Sequence, residues 1–287
     1  MRRKILLTGG NGQVGWELQR TLAPLGDVYA PTRQQLDLSQ HDALRSLIRE
    51  FRPQWIVNAA AYTAVDRAEE ERECAFSLNH LVPQVLAEEA EQLGSVLVHF
   101  STDYVFDGEQ ATPYVESDQP LPLNVYGESK WAGEMAISQV CSRYLIFRTS
   151  WVYGLRGSNF LLTMLRLAQE RKELSIVDDQ VGAPTWSRMI AEATALSLLK
   201  VSEGRGGWGT YHLTSQESTS WYGFVKEIVA LALPDSSVKL EPIPTSQYPL
   251  PAVRPSYSCL DNNRLKQEFG IVLPVWNKAL MLCVADL

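Results

Sequence analysis

Lys4-Ile5-Leu6-Leu7-Thr8-Gly9-Gly10-Asn11-Gly12-Gln13-Val14-Gly15 is the stretch on which the fold turns. Lys4–Thr8 is a short, almost continuous apolar run, as expected of a strand covered on both faces of a parallel sheet. A glycine-rich turn follows, after which Val14, Leu18 and Leu22 recur with helical spacing. Gly9 suits a tight turn, Gly12 lets backbone approach a pyrophosphate, and Gly15 lets helix and strand pack closely. The helix N-terminus then faces the anion. An ordinary strand-to-helix turn can carry the same glycines. Their position at the head of a βαβ unit is what favours dinucleotide binding.

Outward from this turn the alternation continues. Val28–Ala30 reads as a strand, His41–Phe51 as an amphipathic helix, Trp55–Asn58 as a strand and Ala75–Leu93 as a long helix. Val96–Ser101 is a strand, Gly127–Val140 a helix and Leu145–Arg148 a strand. Strands alternating with helices, joined by right-handed crossovers, predict an α/β fold with a doubly wound, Rossmann-like parallel sheet. After Ser150 the rhythm changes. Phe160–Gln169, Ser187–Leu199, Asn262–Phe269 and Val275–Ala285 read as helices, while the proline-rich Pro234–Pro255 reads as extended loop with one short strand at most. The expected division is a dinucleotide-binding part over 1–150 and a smaller, mainly substrate-binding region over 151–287. Segments near 183–215 are expected to pack back on the first sheet.

The 287 residues are 45% hydrophobic and 21% charged, which suits an ordinary globular enzyme. A net charge of −7 offers no footprint for nucleic acid. No apolar run is long enough to span a bilayer, and no signal peptide is visible at the N-terminus. The four cysteines are scattered without a C-x-x-C pair, which fits reduced thiols rather than a disulfide framework or zinc site. A cytoplasmic protein is expected, without nucleic-acid or membrane partners.

The second strand ends in Ala30-Pro31-Thr32-Arg33, with an arginine and no acid where the cofactor ribose would lie. That favours the 2′-phosphate of NADPH, with NADH weaker. Asp37 lies where a carboxylate can accept hydrogen bonds near the adenine. Asn58-Ala59-Ala60-Ala61-Tyr62-Thr63 closes the third strand, its small residues leaving room for a flat cofactor. Val96–Ser101 runs on into Thr102-Asp103-Tyr104, and Tyr126 and Lys130, four apart, share one helix face. A free phenol titrates near pH 10. An ammonium beside it is expected to lower that value toward the useful range for acid–base work, with Thr102 hydrogen-bonding the same carbonyl oxygen.

Taken together, Gly9–Gly15, Ser101–Gly108 and the pair Tyr126 and Lys130 resemble the extended short-chain dehydrogenase/reductases acting on nucleotide sugars. Within them the chain is most similar to the dTDP-4-dehydrorhamnose reductase family. The narrower likeness rests on Gly12–Leu18, Asn58–Asp66, Pro122–Gly127, Phe147–Tyr153, Asp179–Thr185 and Arg254-Pro255, and covers essentially the whole chain. The resemblance implies reduction of the C4 ketone of dTDP-4-dehydro-L-rhamnose to dTDP-L-rhamnose. It implies Tyr126 as proton donor, Lys130 as its partner and holder of the cofactor ribose, and Thr102 as the hydroxyl partner. Thr102, Asp103 and Trp151 match sugar-contacting positions. Gly12, Gln13, Val14, Asp37, Leu38, Ala61, Tyr62 and Thr63 match cofactor-lining ones.

Two departures stand out. Some members hold magnesium at a dimer interface with three acids, and the matching positions here are Glu17, Arg188 and Asp286. An arginine argues against the metal, and leaves a homodimer open. Thr32 stands where members that also accept NADH carry an acid, which strengthens the NADPH expectation. The same fold also serves a regulatory subunit of methionine adenosyltransferase and sibling epimerases and dehydratases. Retention of Thr102, Tyr126 and Lys130 argues for catalysis. His99 is expected to be a satisfied core histidine, and Asp66–Glu73 a solvated first helical turn.

Overall fold

The computed structural model describes residues 2–287. Six strands form one parallel sheet: β1 (Lys4–Thr8), β2 (Asp27–Tyr29), β3 (Trp55–Asn58), β4 (Val96–Thr102), β5 (Tyr144–Thr149) and β6 (Gly209–His212). Their spatial order is β6-β5-β4-β3-β1-β2, every neighbouring pair being parallel. From β1 the chain moves outward to β2, then crosses back to lay β3 on the opposite side of β1. The order therefore reverses between β1 and β3, and a crevice opens beyond their carboxyl ends, where Thr8 and Asn58 sit.

Alternation along the strands sorts the core into two layers. Ile5, Leu7, Trp55, Val57, Val98 and Phe147 face one layer, closed by helix α1 (Gln13–Leu22) and the helix Ser187–Ser202. Leu6, Ile56, Leu97 and Ile146 face the other, under helix α2 (His41–Phe51) and the helix Val82–Leu93. A separate apolar cluster built on Leu161, Trp186, Phe224 and Leu280 holds the C-terminal part together. No helix among the described residues is long and apolar enough to cross a membrane.

Among the elements that differ from the sequence expectation, three bear on the sheet and the site. Gly209–His212 is the sixth sheet strand, pairing with β5, and Trp221–Ala232 is a helix that the sequence reading passed over. The helix expected over Ala75–Leu93 is interrupted, because Ser77–Leu81 takes a π-helical turn between Arg72–Phe76 and Val82–Leu93. That wide turn directs Asn79 inward, where it is fully buried. Its Oδ1 accepts from the Tyr62 amide at 2.8 Å, and its Nδ2 donates to Ser129 Oγ at 3.0 Å. Such π turns are frequent at functional sites. Here the turn ties the end of β3 to the helix Val125–Val140.

Candidate active site

The glycine turn shapes the first half of the site. Gly9 adopts φ +71°, and a Cβ there would lie 2.5 Å from the Ala59 carbonyl carbon. At Gly15 a Cβ would stand 2.1 Å from the Gly9 carbonyl oxygen. Both positions therefore need glycine to keep β1, β3 and α1 in contact. Gly12 caps α1 without a side chain, so the first-turn N–H groups keep an open face. Beyond them lies a cavity of about 880 Å³ that reaches Gly9, Gly12, Arg33, Asp37, Leu38, Ala61 and Tyr62. A concave space of that size beside a helix N-terminus fits a dinucleotide.

Gln13, Val14, Gly15 and Thr63 do not line this cavity. Gln13 instead points its Nε2 toward the Val152 carbonyl, 3.5 Å away, and its Oε1 is buried without a partner. Asp37 reaches the cavity, but its Oδ1 accepts from the Ser39 amide and hydroxyl at 3.0 and 2.9 Å. Those bonds hold its carboxyl below the usual range. Arg67, a lining residue that the sequence reading overlooked, is paired with Glu71, which also accepts from the Tyr62 hydroxyl at 2.7 Å.

The second half of the site is the pairing of β4 with the helix Val125–Val140. Asn124 caps that helix, its Oδ1 accepting from the Gly127 amide at 2.8 Å. Thr102 ends β4; its hydroxyl donates to Asp103 Oδ1 at 2.9 Å and accepts from the Tyr104 amide at 3.1 Å. Tyr126 meets Tyr104 edge-on, ring centroids 5.8 Å apart, and packs on the same small apolar cluster as Tyr62, which reaches the cofactor cavity. Burial pushes the Asp103 carboxyl up to about 7, with the nearby Ser258 and Thr102 hydroxyls acting against it. Its Oδ2 has no hydrogen-bond partner.

The expected electrostatic effect of Lys130 on Tyr126 is not what the structure shows. Burial of the phenol pushes Tyr126 up to about 12, and the relief comes from the Thr102 hydroxyl. Lys130 is itself buried and brought down to about 8 by desolvation, against the pull of Glu134. Its Nζ donates to the Phe100 carbonyl at 2.6 Å and lies 3.1 Å from His99 Nε2. No hydrogen bond runs from it to Tyr126 among the described residues. A side chain four residues on shares the helix face, but the ammonium follows the nearest buried acceptor.

A second cavity, also about 880 Å³, opens on the far side of Tyr104, lined by Phe160, Gln180, Trp221, Tyr248 and Arg254 among others. Trp151 lies just behind it. It adopts φ +46° and stacks on Trp221 at 3.5 Å, with Gly182 leaving room for its ring. The acidic run Asp66–Glu73 is not the simple solvated turn expected. Asp66 makes a two-pronged pair with Arg254, at 2.8 and 2.6 Å, tying the cofactor side to the second cavity. Glu69 accepts from the Val125 amide at 2.9 Å, at the start of the Tyr126 helix. At the surface, Arg188 lies 3.5 Å from Glu17 and 2.5 Å from Asp286, so a guanidinium bridges the two carboxylates.

A glycine turn at the switch point of a parallel sheet, with Thr102 ending β4 and Tyr126 and Lys130 on the helix packed beside it, defines a dinucleotide-binding fold of the short-chain dehydrogenase/reductase type. Residues 3–287 match the family described as RmlD substrate binding domain. The chain is 49% identical over 294 residues to the dTDP-4-dehydrorhamnose reductase of Burkholderia thailandensis, covering 99% of each. It is 45% identical to that of Escherichia coli, over 95% of this chain and 94% of the relative. The crystal structure of the Bacillus anthracis dTDP-4-dehydrorhamnose reductase in complex with NADP superposes with a TM-score of 0.94 at 36% identity, over the whole of both chains. The chain belongs to the dTDP-4-dehydrorhamnose reductase family.

Proposed function

We propose that the protein reduces the C4 ketone of dTDP-4-dehydro-L-rhamnose to dTDP-L-rhamnose with NADPH. The observation that carries this reading is a dinucleotide-sized cavity at the glycine turn together with Tyr126 set against Tyr104, which lines a second cavity of equal volume. NADPH, when bound, supplies the hydride. The residues that would hold it are the Gly9–Gly12 turn, Arg33 near the ribose phosphate, and Ala61 and Tyr62 at the end of β3. The second cavity would take the dTDP-sugar, with Trp221 and Tyr104 as flat apolar surfaces and Arg254 as the cation for the diphosphate. In domain terms, 1–150 binds the cofactor, and 151–287 mainly the sugar. We place the enzyme in the cytoplasm.

In this scheme Tyr126 holds the proton that neutralises the alkoxide forming at C4. A phenol raised to about 12 is protonated throughout the neutral range, so it stands ready as an acid. Thr102 orients the carbonyl oxygen. The Tyr104 amide holds the Thr102 hydroxyl oxygen in place, and its single proton, given to Asp103 in the free protein, would turn to the carbonyl oxygen when the sugar binds. Lys130, one turn along the helix and with its Nζ on the Phe100 carbonyl, would in its cationic form favour the phenolate left on Tyr126 through space rather than by a hydrogen bond.

The test is the loss of NADPH absorbance on adding dTDP-4-dehydro-L-rhamnose, product being identified by mass. One equivalent of NADPH consumed per sugar is the expected result. No consumption at saturating sugar refutes the reading, and interconversion of sugars without net consumption points to an epimerase instead.

A further inference from the structure

Three adjacent strands carry a row of polar side chains through the middle of the protein. Thr8, Asn58 and His99 stand in register on β1, β3 and β4. Each is 1% exposed, as is Lys130, toward which the row runs. Thr8 Oγ1 donates to Asn58 Oδ1 at 2.6 Å, Asn58 Nδ2 lies 3.0 Å from His99 Nδ1, and His99 Nε2 lies 3.1 Å from Lys130 Nζ.

The row has a polarity that can be worked out from its fixed end. Asn58 Oδ1 also faces the Ala60 amide, which donates to it at 3.2 Å. A backbone N–H cannot reverse, so the Asn58 oxygen stays on that side and its NH2 faces His99. An amide NH2 only donates, hence His99 Nδ1 accepts and the single proton of the neutral ring sits on Nε2. That proton points at Lys130. An ammonium has three N–H groups and no lone pair, so it meets this N–H unfavourably, whereas an amine accepts it.

We propose that His99, oriented by Asn58 and Thr8, is a positioning residue that holds Lys130 near the boundary between ammonium and amine and thereby sets the upper pH limit of turnover. The proposal rests on the reading that Lys130 acts as a cation beside Tyr126. The ring is suited to this task because burial keeps it neutral well below its ordinary range. The other titratable groups around Lys130 are Glu134 one turn on, paired with Arg148 of β5, and Tyr126 one turn back. Burial brings the Lys130 ammonium down to about 8, so the cation, and turnover with it, is lost as pH rises through that value.

Two variants reverse the polarity. In Asn58→Asp a carboxylate accepts from Thr8, from Ala60 and from a proton moved to His99 Nδ1, leaving the Nε2 lone pair to face Lys130. In His99→Gln the carboxamide oxygen can turn to the ammonium. Both should move the basic limb of the kcat/KM profile upward by about one pH unit, a tenfold change in protonation constant. A side chain that only supports the fold would lower stability and rate and leave the limb in place.

The direct measurement is the ¹⁵N NMR spectrum of the histidine rings in the wild-type protein, with His99 assigned by its loss in His99→Gln. The Nε2–H tautomer is expected, switching to Nδ1–H in Asn58→Asp. An Nδ1–H tautomer in the wild type overturns the proposal, as does a basic limb that stays put in both variants. If no keto-sugar is turned over, the functional reading fails by itself. The ring tautomer and the ¹⁵N-lysine titration of Lys130 still decide this one.

Discussion

Replacing Glu134 with Gln should separate charge from shape in the helix that carries Tyr126 and Lys130. Glu134 and Arg148 are each 5% exposed in their side chains, and three hydrogen bonds of 2.7–3.1 Å join them. The guanidinium lies 5.1 Å from the Phe106 ring, and its Nη1 has no partner, so little else compensates its charge. Gln has the same shape and leaves no cavity. Removing one member of a buried pair costs about 3–5 kcal/mol, because the other charge stays buried. At about 2 °C per kcal/mol for a chain of this size, the melting temperature should fall by roughly 6–10 °C. Glu134→Leu combined with Arg148→Met should recover most of that loss, since neither charge then remains. The same single change removes the carboxylate that favours the Lys130 cation, so the basic limb should move down from about 8, opposite to Asn58→Asp. Calorimetry of Glu134→Gln and of the double variant, with pH–rate profiles of Glu134→Gln, checks both. A Glu134→Gln protein melting within about 2 °C of the wild type, under a kilocalorie by the same conversion, would refute the argument from charge burial.

Tyr126→Phe should lower kcat by about 10²–10⁴-fold while leaving equilibrium NADPH binding, read by fluorescence, nearly unchanged. Gly15→Ala places a methyl 2.1 Å from the Gly9 carbonyl, so α1 must move off β1. Its NADPH affinity should drop at least about tenfold, by a loss of 1.4 kcal/mol or more. An affinity within twofold of the wild type would show that the turn has slack. Arg33→Ala should weaken NADPH by about tenfold and NADH little, narrowing the preference when both dissociation constants are measured.

The features visible in the sequence were those made by neighbouring residues. Lys4–Thr8 and its glycines announce a buried parallel strand and an anion-facing helix because both signals lie within one turn of chain. Gly209–His212 gave no such sign. Four residues, Gly-Thr-Tyr-His, become a strand only because β5 offers an unpaired edge. Trp221–Ala232 carries apolar residues on most of its circumference and so lacks the stripe that marks a surface helix.

The site divides in the same way. Thr102, Tyr126 and Lys130 were legible from residue type and spacing. The direction in which Lys130 points is not, since it depends on the Phe100 carbonyl of β4, thirty residues away in sequence. Asp66 looked like a solvated acid because its partner, Arg254, stands 188 residues away. Asn79 depends on a π turn for which local composition gives no signal.

The place of β6 also has a consequence for how the chain is made. Ile190, Leu198, Tyr211 and Phe269 belong to the same apolar layer as Ile5 and Val57. Until residue 212 has left the ribosome, β5 presents an open strand edge, and one face of the sheet lacks its cover. A nascent chain stopped at residue 150 would hold every strand of the nucleotide cleft and still expose Leu145 and Phe147. Such an intermediate invites edge-to-edge association. Synthesis therefore has to pass well into the second half before the first can close, and the two halves mature as a single folding unit.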